Sequence, residues 1–249
     1  MAVHVRALAE IGLDCLFPPR CLSPGCSRRG AWVCAPCLAG APPLPDRRCA
    51  ICGDAVLAAR ACAGSASPRC RRCLVRPPAF DLAVAPWLHA PPVTHWIHAL
   101  KYDRRRRVAD LAGQYAAAVV RPHLGPDLDR TVVVPVPTHA ARRAERGIDV
   151  PARLAAVVAA SLGVPADVDA LERVRATPPQ VSSSRAARLA NLLDAIEARR
   201  PVCVEHVVVV DDVLTTGATG EACARALKAA GAQRVVVVTL ARSTRGGHA

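Results

Sequence analysis

The chain reads as an α/β protein, a parallel-sheet domain preceded by a small cysteine-rich module. Three observations predict it. Residues 207–210 are four consecutive valines, followed by two acids, a Thr/Gly turn, an Ala-rich stretch at about 220–230 and a second β-branched run at 234–240. That order is strand, loop, helix, strand, and an apolar run without alternation is the habit of a parallel strand buried on both faces. Residues 131–136, TVVVPV, repeat the theme: a valine-rich strand that ends in a polar turn. Finally, ten of the twelve cysteines lie before residue 74, eight of them in four close pairs.

The N-terminal stretch, 1–17, carries Arg6, Glu10 and Asp14 within apolar sequence. Those charges spoil a secretory signal and suit an amphipathic helix. No run approaches the roughly 18 uninterrupted apolar residues of a membrane span. A cytoplasmic location is therefore expected, and there cysteines serve as metal ligands more often than as disulfides. Cys21-x4-Cys26 is followed by Cys34-x2-Cys37; Cys49-x2-Cys52 is followed, after seventeen residues, by Cys70-x2-Cys73. Two cysteines on one tight knuckle offer two thiolates, and two knuckles complete a tetrahedral Zn2+ site. The second set has the spacing of a zinc ribbon, and the first is shorter and looser. Arg20, Arg28, Arg48, Arg69, Arg71 and Arg72 flank these cysteines and would offset the net charge of −2 on a four-thiolate zinc site. Both sites are expected to be structural, since four thiolates leave no open position. Sequential pairing is expected, with a cross-brace exchange of knuckles as the alternative. Cys15 and Cys62 are left over, and Cys62 could stand in for Cys70. Cys203 and Cys223 are expected to be buried as apolar residues.

Pro77-Pro78 marks a boundary, giving an N-terminal module over 1–76 and an α/β domain over 77–249. Residues 79–88 are expected to form one strand and 93–102 a helix carrying His95 and His98 one turn apart. A surface or packing role for that pair outweighs a chelating one. Arg104 to Arg107 form a basic turn, either a solvated face or a contact to a phosphate or nucleic-acid backbone. A helix over 108–120 leads to the strand at 131–136 and then to Thr138, His139, Arg142, Arg143 and Arg146. Guanidinium forks suit a diphosphate; solvated arginines at a capped helix start are the competing reading. Residues 151–162 read as a helix ending at Gly163. Residues 171–196 are polar, Arg-rich and Pro-interrupted, too long for a tight connection, which is the composition of a lid or a disordered segment.

The string 207–219, VVVVDDVLTTGAT, carries the chemistry. Hydroxyls and outward amides at a helix N-terminus seat a phosphate, and Gly217 permits the close approach. Asp211 and Asp212 would repel that phosphate, but they suit sugar hydroxyls or the waters of a divalent cation beside it. Phosphate, vicinal hydroxyls and Mg2+ together describe a ribose 5-phosphate. No Lys follows the glycine, so a nucleotide P-loop fits less well. A solvated acidic turn would account for the carboxylates alone but not for the whole string.

This string resembles the thirteen-residue phosphoribosyl-pyrophosphate (PRPP) motif of type I phosphoribosyltransferases. With the cysteine-rich front, the chain is similar to the ComF family, in which a double zinc ribbon precedes a phosphoribosyltransferase-like domain. The resemblance spans roughly 13–242. It implies PRPP binding by Asp211, Asp212, Thr215, Thr216, Gly217, Ala218, Thr219, Thr138, His139, Arg142, Arg143, Arg173 and Arg175, with catalysis resting on Asp211, Asp212 and Arg142. The implied cofactors are two structural Zn2+, on Cys21, Cys26, Cys34, Cys37, Cys49, Cys52, Cys70 and Cys73, and Mg2+ bound with PRPP. Lys101-Tyr102 matches the family's Lys-Tyr element, and 171–196, with Arg173, Arg175, Thr177, Gln180, Arg185, Arg188 and Asn191, matches its flexible hood. The chain departs from the family's Gly-Phe-Asn-Gln, reading Gly147-Ile148-Asp149-Val150, and Asp149 and Val150 cannot copy the hydrogen bonds of Asn and Gln. Asp149 is the nearest candidate for a general base. Two function classes follow: displacement of pyrophosphate from PRPP by an unidentified acceptor, or a non-catalytic single-stranded DNA-binding or adaptor module of DNA uptake with a competence helicase as partner. The net charge of +13 suits either polyanion, whereas 3% aromatic residues make a poor base-stacking platform.

Overall fold

The computed structural model describes residues 18–56, 68–102, 106–126, 128–138, 148–174 and 195–244. In chain order its elements are the short helices α1 (Ala35–Ala39) and α2 (Arg71–Val75), strands β1 (Leu82–Val84) and β2 (Trp87–Leu88), helices α3 (Val93–Tyr102) and α4 (Arg106–Val120), strand β3 (Thr131–Pro135), helix α5 (Val150–Leu162), strands β4 (Leu171–Arg173), β5 (Ile196–Ala198) and β6 (His206–Leu214), helix α6 (Ala218–Ala229) and strand β7 (Arg234–Arg242).

The main sheet is parallel throughout and ordered β1-β7-β6-β3, with β2 continuing along β7 beyond β1. Its valines divide between two faces because side chains alternate along a strand. Val208, Val210, Val236 and Val238 join Trp96, Leu100, Leu154 and Val158 of α3 and α5 on one face. Val207, Val209, Val235 and Val237 join Ala222, Cys223 and Leu227 of α6 on the other. Each fully buried valine is worth about 1.5–3 kcal/mol, so the two valine runs dominate the core. At Gly113 of α4 a Cβ would stand 2.7 Å from the Val157 side chain, so the absence of a side chain there lets α4 and α5 cross closely.

Four expectations change. The single strand over 79–88 is two short strands, interrupted at Ala85-Pro86, because proline brings no N–H to a ladder. The cysteine-rich module covers this edge: Ile51 O accepts from Ala83 N at 2.7 Å and Pro42 O from Leu88 N at 2.9 Å. The strand expected to end before the acids instead runs on to Leu214, so Asp211 and Asp212 lie inside it, with Asp211 opposite Thr239. Aspartate is poorly suited to strands, but that preference spans only about 1 kcal/mol, and β7 pairs with β6 on both sides of the acids, up to Leu214 opposite Arg242. The two ends of 171–196 are not loop: β4 and β5 pair antiparallel, Arg173 opposite Ile196. Residues 175–194 between them, and with them Arg175, Arg185 and Arg188, lie outside the described residues. Cys223 is fully buried as expected, and burial pushes its thiol pKa up. Cys203 is exposed, because it lies in the loop before β6 rather than in a packed element.

The cysteines gather in the sequential pairing. The sulfurs of Cys21, Cys26, Cys34 and Cys37 lie within 4.8 Å of one another, as do those of Cys49, Cys52, Cys70 and Cys73. Cys26–Cys34 and Cys52–Cys70 are 3.8 and 3.7 Å apart, and a tetrahedron with zinc–sulfur bonds of about 2.3 Å has edges of about 3.8 Å. Both quartets could therefore hold a zinc ion. Thiol chemistry agrees. Burial resists ionisation of Cys21, yet the Ser23 hydroxyl and the Cys34 amide bring it down to about 6. In the second quartet the Cys52 and Cys73 thiols push Cys49 down, while Cys49 and Cys52 push Cys73 up. Four thiols sharing protons give up the first easily and the last with difficulty, a conflict that a central dication removes. The quartets sit on opposite faces of the sheet: Val33 and Ala41, beside the first, enter the α3–α5 core, and Cys49, Cys52 and Cys73 enter the α6 core. We expect about two Zn2+ per chain in protein purified without chelator. Metal analysis that finds none, with the eight cysteines oxidised in pairs, would exclude both sites.

Candidate functional site

The site forms at the carboxyl ends of β6 and β3, where open α/β sheets place their ligands. Residues 215–217 turn the chain from β6 into α6. Gly217 adopts φ 77° and ψ 8°, a left-handed conformation that costs a residue with a Cβ about 1–2 kcal/mol. The Thr216 hydroxyl accepts from Ala218 N at 3.3 Å, and Gly217 O accepts from Glu221 N at 2.9 Å. Thr215, Gly217, Ala218 and Thr219 of the loop line a small cleft together with Asp211, Val237 and Val136, which follows β3. Thr215, Gly217, Ala218 and Thr219 are thus brought together with Asp211, and Thr216 lies in the same turn.

The two carboxylates differ. Asp212 is paired with Lys101 of α3, Nζ to Oδ2 at 2.5 Å. Asp211 is partly buried and accepts from the Asp212 amide at 2.8 Å. Burial, and then the Asp212 charge, push its carboxyl up to about 7, although the Asp212 amide, Lys101 and Arg173 draw the other way. Arg173, at the end of β4, is near enough for its charge to favour the ionised form of Asp211. His89, following β2, is also near: burial and then the Lys101 charge hold its imidazole below the usual range, Asp212 opposing.

On the β3 side, the Thr138 hydroxyl donates to Asp149 Oδ1 at 3.1 Å. Asp149 is the N-cap of α5 and accepts from Ala152 N at 3.3 Å. The residue considered as a general base is thus committed to capping, work for which a short carboxylate at this position is suited. His139, Arg142, Arg143 and Arg146 lie outside the described residues. His95 and His98 are both exposed on α3, and neither joins a candidate metal group among the described residues.

Sequence reasoning did not bring Lys101, His89, Arg72 or Arg242 to the site. Lys101 was legible only as part of a dipeptide motif. Arg242 offered a signal: a guanidinium closing a nine-residue apolar strand. It is 2% exposed. Its Nη1 donates to the carbonyls of Leu214 (2.8 Å), Thr215 and Ser243 (2.9 Å), and its Nε to Cys52 O at 3.0 Å. Arg72 Nη1 donates to Thr216 O at 2.7 Å.

The raised Asp211 pKa carries a pH signature. The unfolded chain loses this proton near the ordinary carboxylate value, the folded one near 7. Stability from the neutral carboxyl is therefore fully present below about pH 4 and is lost as pH rises through about 7. Asp211→Asn cannot ionise. Its stability relative to the parent should grow by up to about 1.4 kcal/mol per pH unit between pH 5 and 7, then level off. Urea unfolding across that range reads the gap, and a constant gap would mean that the carboxyl is ionised throughout.

Comparison with known proteins places the chain. The phosphoribosyl transferase domain family matches residues 127–248. The DNA utilization protein YhgH of Salmonella typhi is 36% identical over 185 residues, covering 73% of this chain and 81% of that protein. Competence protein F of Haemophilus influenzae is 26% identical over 184 residues, covering 70% of this chain and 78% of that one. Among solved structures, the allosteric regulatory enzyme of purine biosynthesis aligns over 53% of this chain and 26% of that one at 24% identity, with a TM-score of 0.36 too low to carry an argument. The identity and coverage shared with YhgH, together with the domain match over β3 to β7, show that the chain belongs to the ComF family of phosphoribosyltransferase-type proteins.

Proposed function

We propose that the chain binds PRPP with Mg2+ and displaces its pyrophosphate by an acceptor, in service of DNA use. The observation that supports this best is the juxtaposition, at one strand end, of a glycine-turned hydroxyl loop with two carboxylates. The loop 215–219 takes the 5-phosphate, its amides and hydroxyls donating. Asp211 and Asp212 take the ribose hydroxyls, one carboxylate accepting from each, and Lys101 exchanges Asp212 for the anionic ligand. Arg173, with Thr138, His139, Arg142, Arg143 and Arg175, holds the diphosphate. The bond from the anomeric carbon to pyrophosphate breaks with its electron pair leaving on the diphosphate. The acceptor's lone pair forms the new bond, and its proton passes to solvent. Bound Mg2+ would supply positive charge to the leaving group. Arginines around the diphosphate favour the same charge separation, so catalysis is chiefly electrostatic. In this reading 1–76 is a structural zinc module and 77–249 the ligand-binding domain, with 171–196 its closing segment.

A second reading, a single-stranded DNA-binding module, is favoured by the net charge of +13 and by the words "DNA utilization" in its relatives' names. Calorimetry separates the two. The Asp211→Asn, Asp212→Asn double variant should stay folded and lose Mg2+–PRPP affinity by at least about 100-fold, because two charged hydrogen-bond partners are removed. Unchanged affinity would reduce the pair to an acidic strand end. Parent protein that binds single-stranded DNA with steep salt dependence and ignores PRPP would favour the second reading.

A further inference from the structure

The phosphate loop is gripped from behind by one guanidinium of the cysteine-rich module, Arg72, and by one at the end of β7, Arg242, which itself contacts that module. Three successive carbonyls, of Leu214, Thr215 and Thr216, all accept from guanidinium groups, the first two from Arg242 and the third from Arg72. Arg72 lies on α2, between Cys70 and Cys73 of the second quartet. Arg242 reaches that quartet through Cys52 O at 3.0 Å and Asp54 Oδ2 at 3.4 Å. Phe80, 1% exposed, fills the space beneath the turn, its ring 3.7 Å from where a Gly217 Cβ would stand.

In a trans peptide the C=O and the following N–H point in opposite directions. Carbonyls of 214, 215 and 216 held toward the guanidiniums therefore turn the amides of 215, 216 and 217 the other way. Three successive amides facing one side make an anion nest, and the left-handed Gly217 completes it. The Leu214 carbonyl also accepts from Ser243 N at 3.0 Å; the two peptide planes after it are the ones the guanidiniums keep from flipping, and each flip would aim a carbonyl at the ligand's phosphate. The cations also lend the nest positive charge without occupying it.

We propose that Arg72 and Arg242 are positioning residues of the phosphate loop, and that through them the second cysteine quartet sets the loop's affinity for a phosphomonoester. They touch the loop's carbonyl side and not the ligand. Their role rests on the phosphate-loop reading above, and it makes the module more than a stabilising appendage.

Arg242 is so buried that its replacement risks the fold, so the test uses Arg72. The variants are Arg72→Ala, Arg72→Lys and, on the same helix, Arg71→Ala as a control. Two probes are titrated into the zinc-loaded full chain: ribose 5-phosphate, which needs the loop, and pyrophosphate, which needs the other half of the site. Arg72→Ala should weaken ribose 5-phosphate about tenfold, the worth of one charged hydrogen bond, and leave pyrophosphate within about twofold. Arg72→Lys should recover part of the loss, and Arg71→Ala should change neither. Equal weakening of both probes, or of neither, overturns the proposal. Amide hydrogen exchange at 215–217 without ligand reads the clamp directly: exchange should quicken in Arg72→Ala and on chelation of the parent's metal. If the parent binds neither probe, the phosphate reading fails, and the exchange rates still decide the clamp. Unchanged exchange in Arg72→Ala overturns it.

Discussion

The parallel ladder between β6 and β7 is the constraint from which the rest follows. Both strands are nine residues long, and their pairing runs from His206 opposite Arg234 to Leu214 opposite Arg242. Its first half is valine on both strands and buries those side chains on two faces. Its second half is polar on β6, carrying Asp211 and Asp212. Without the apolar half, the polar half would have no reason to remain extended, and the carboxylates would sit in a free turn. The ladder also delivers the Arg242 guanidinium to the mouth of the loop. One pairing thus fixes the carboxylates, the phosphate turn and the group behind that turn.

Charge is concentrated at that ladder's end, and its costs are met locally. Burying an unpaired guanidinium costs several kcal/mol, yet Arg242 is almost wholly enclosed. It is held by four carbonyls and by Asp54. Lysine could not replace it, since a single ammonium cannot span Cys52 on one side and Leu214 on the other. The acids are handled differently. Asp212 has a lysine; Asp211 has an amide but, among the described residues, no counter-ion in direct contact, and so tends to keep its proton.

Much of this was legible in the chain. The valine runs gave the sheet, because four consecutive β-branched residues in two places leave few other folds. The cysteine spacing gave both quartets, and of the two pairings it left open the structure takes the sequential one. The string 211–219 gave the turn at the end of β6 and its glycine, since hydroxyl, glycine and carboxylate types between a strand and a helix have limited uses. What stayed hidden depended on distance in sequence. Asp212 meets Lys101 across 111 residues and Arg72 meets Thr216 across 144, and no local pattern reports such pairings. The extension of β6 through two aspartates was hidden for a related reason: the partner strand decided it against local preference. Asp149 misled as a base because a capping carboxylate and a catalytic one look alike until their partners are seen.

The cysteine-rich module also resists being read as an independent lobe. Below about 40 residues a unit seldom sustains a core without a metal or disulfide, and each quartet here organises a piece shorter than that. Each piece then leans on a different face of the same sheet, one on Trp87 and Trp96, which meet edge to face at 5.7 Å, the other on Phe80 and α6. Between them, Pro42 and Ile51 cap the edge strands that would otherwise offer open N–H groups to another chain. The module closes the sheet at β1 and β2, and from the same position it reaches the loop at the end of β6. Closing the edge accounts for its contacts with β1 and β2. It does not account for Arg72 reaching Thr216 O, nor for Arg242 joining Cys52 O to the carbonyls of Leu214 and Thr215, and those contacts are what tie the second cysteine quartet to the end of β6.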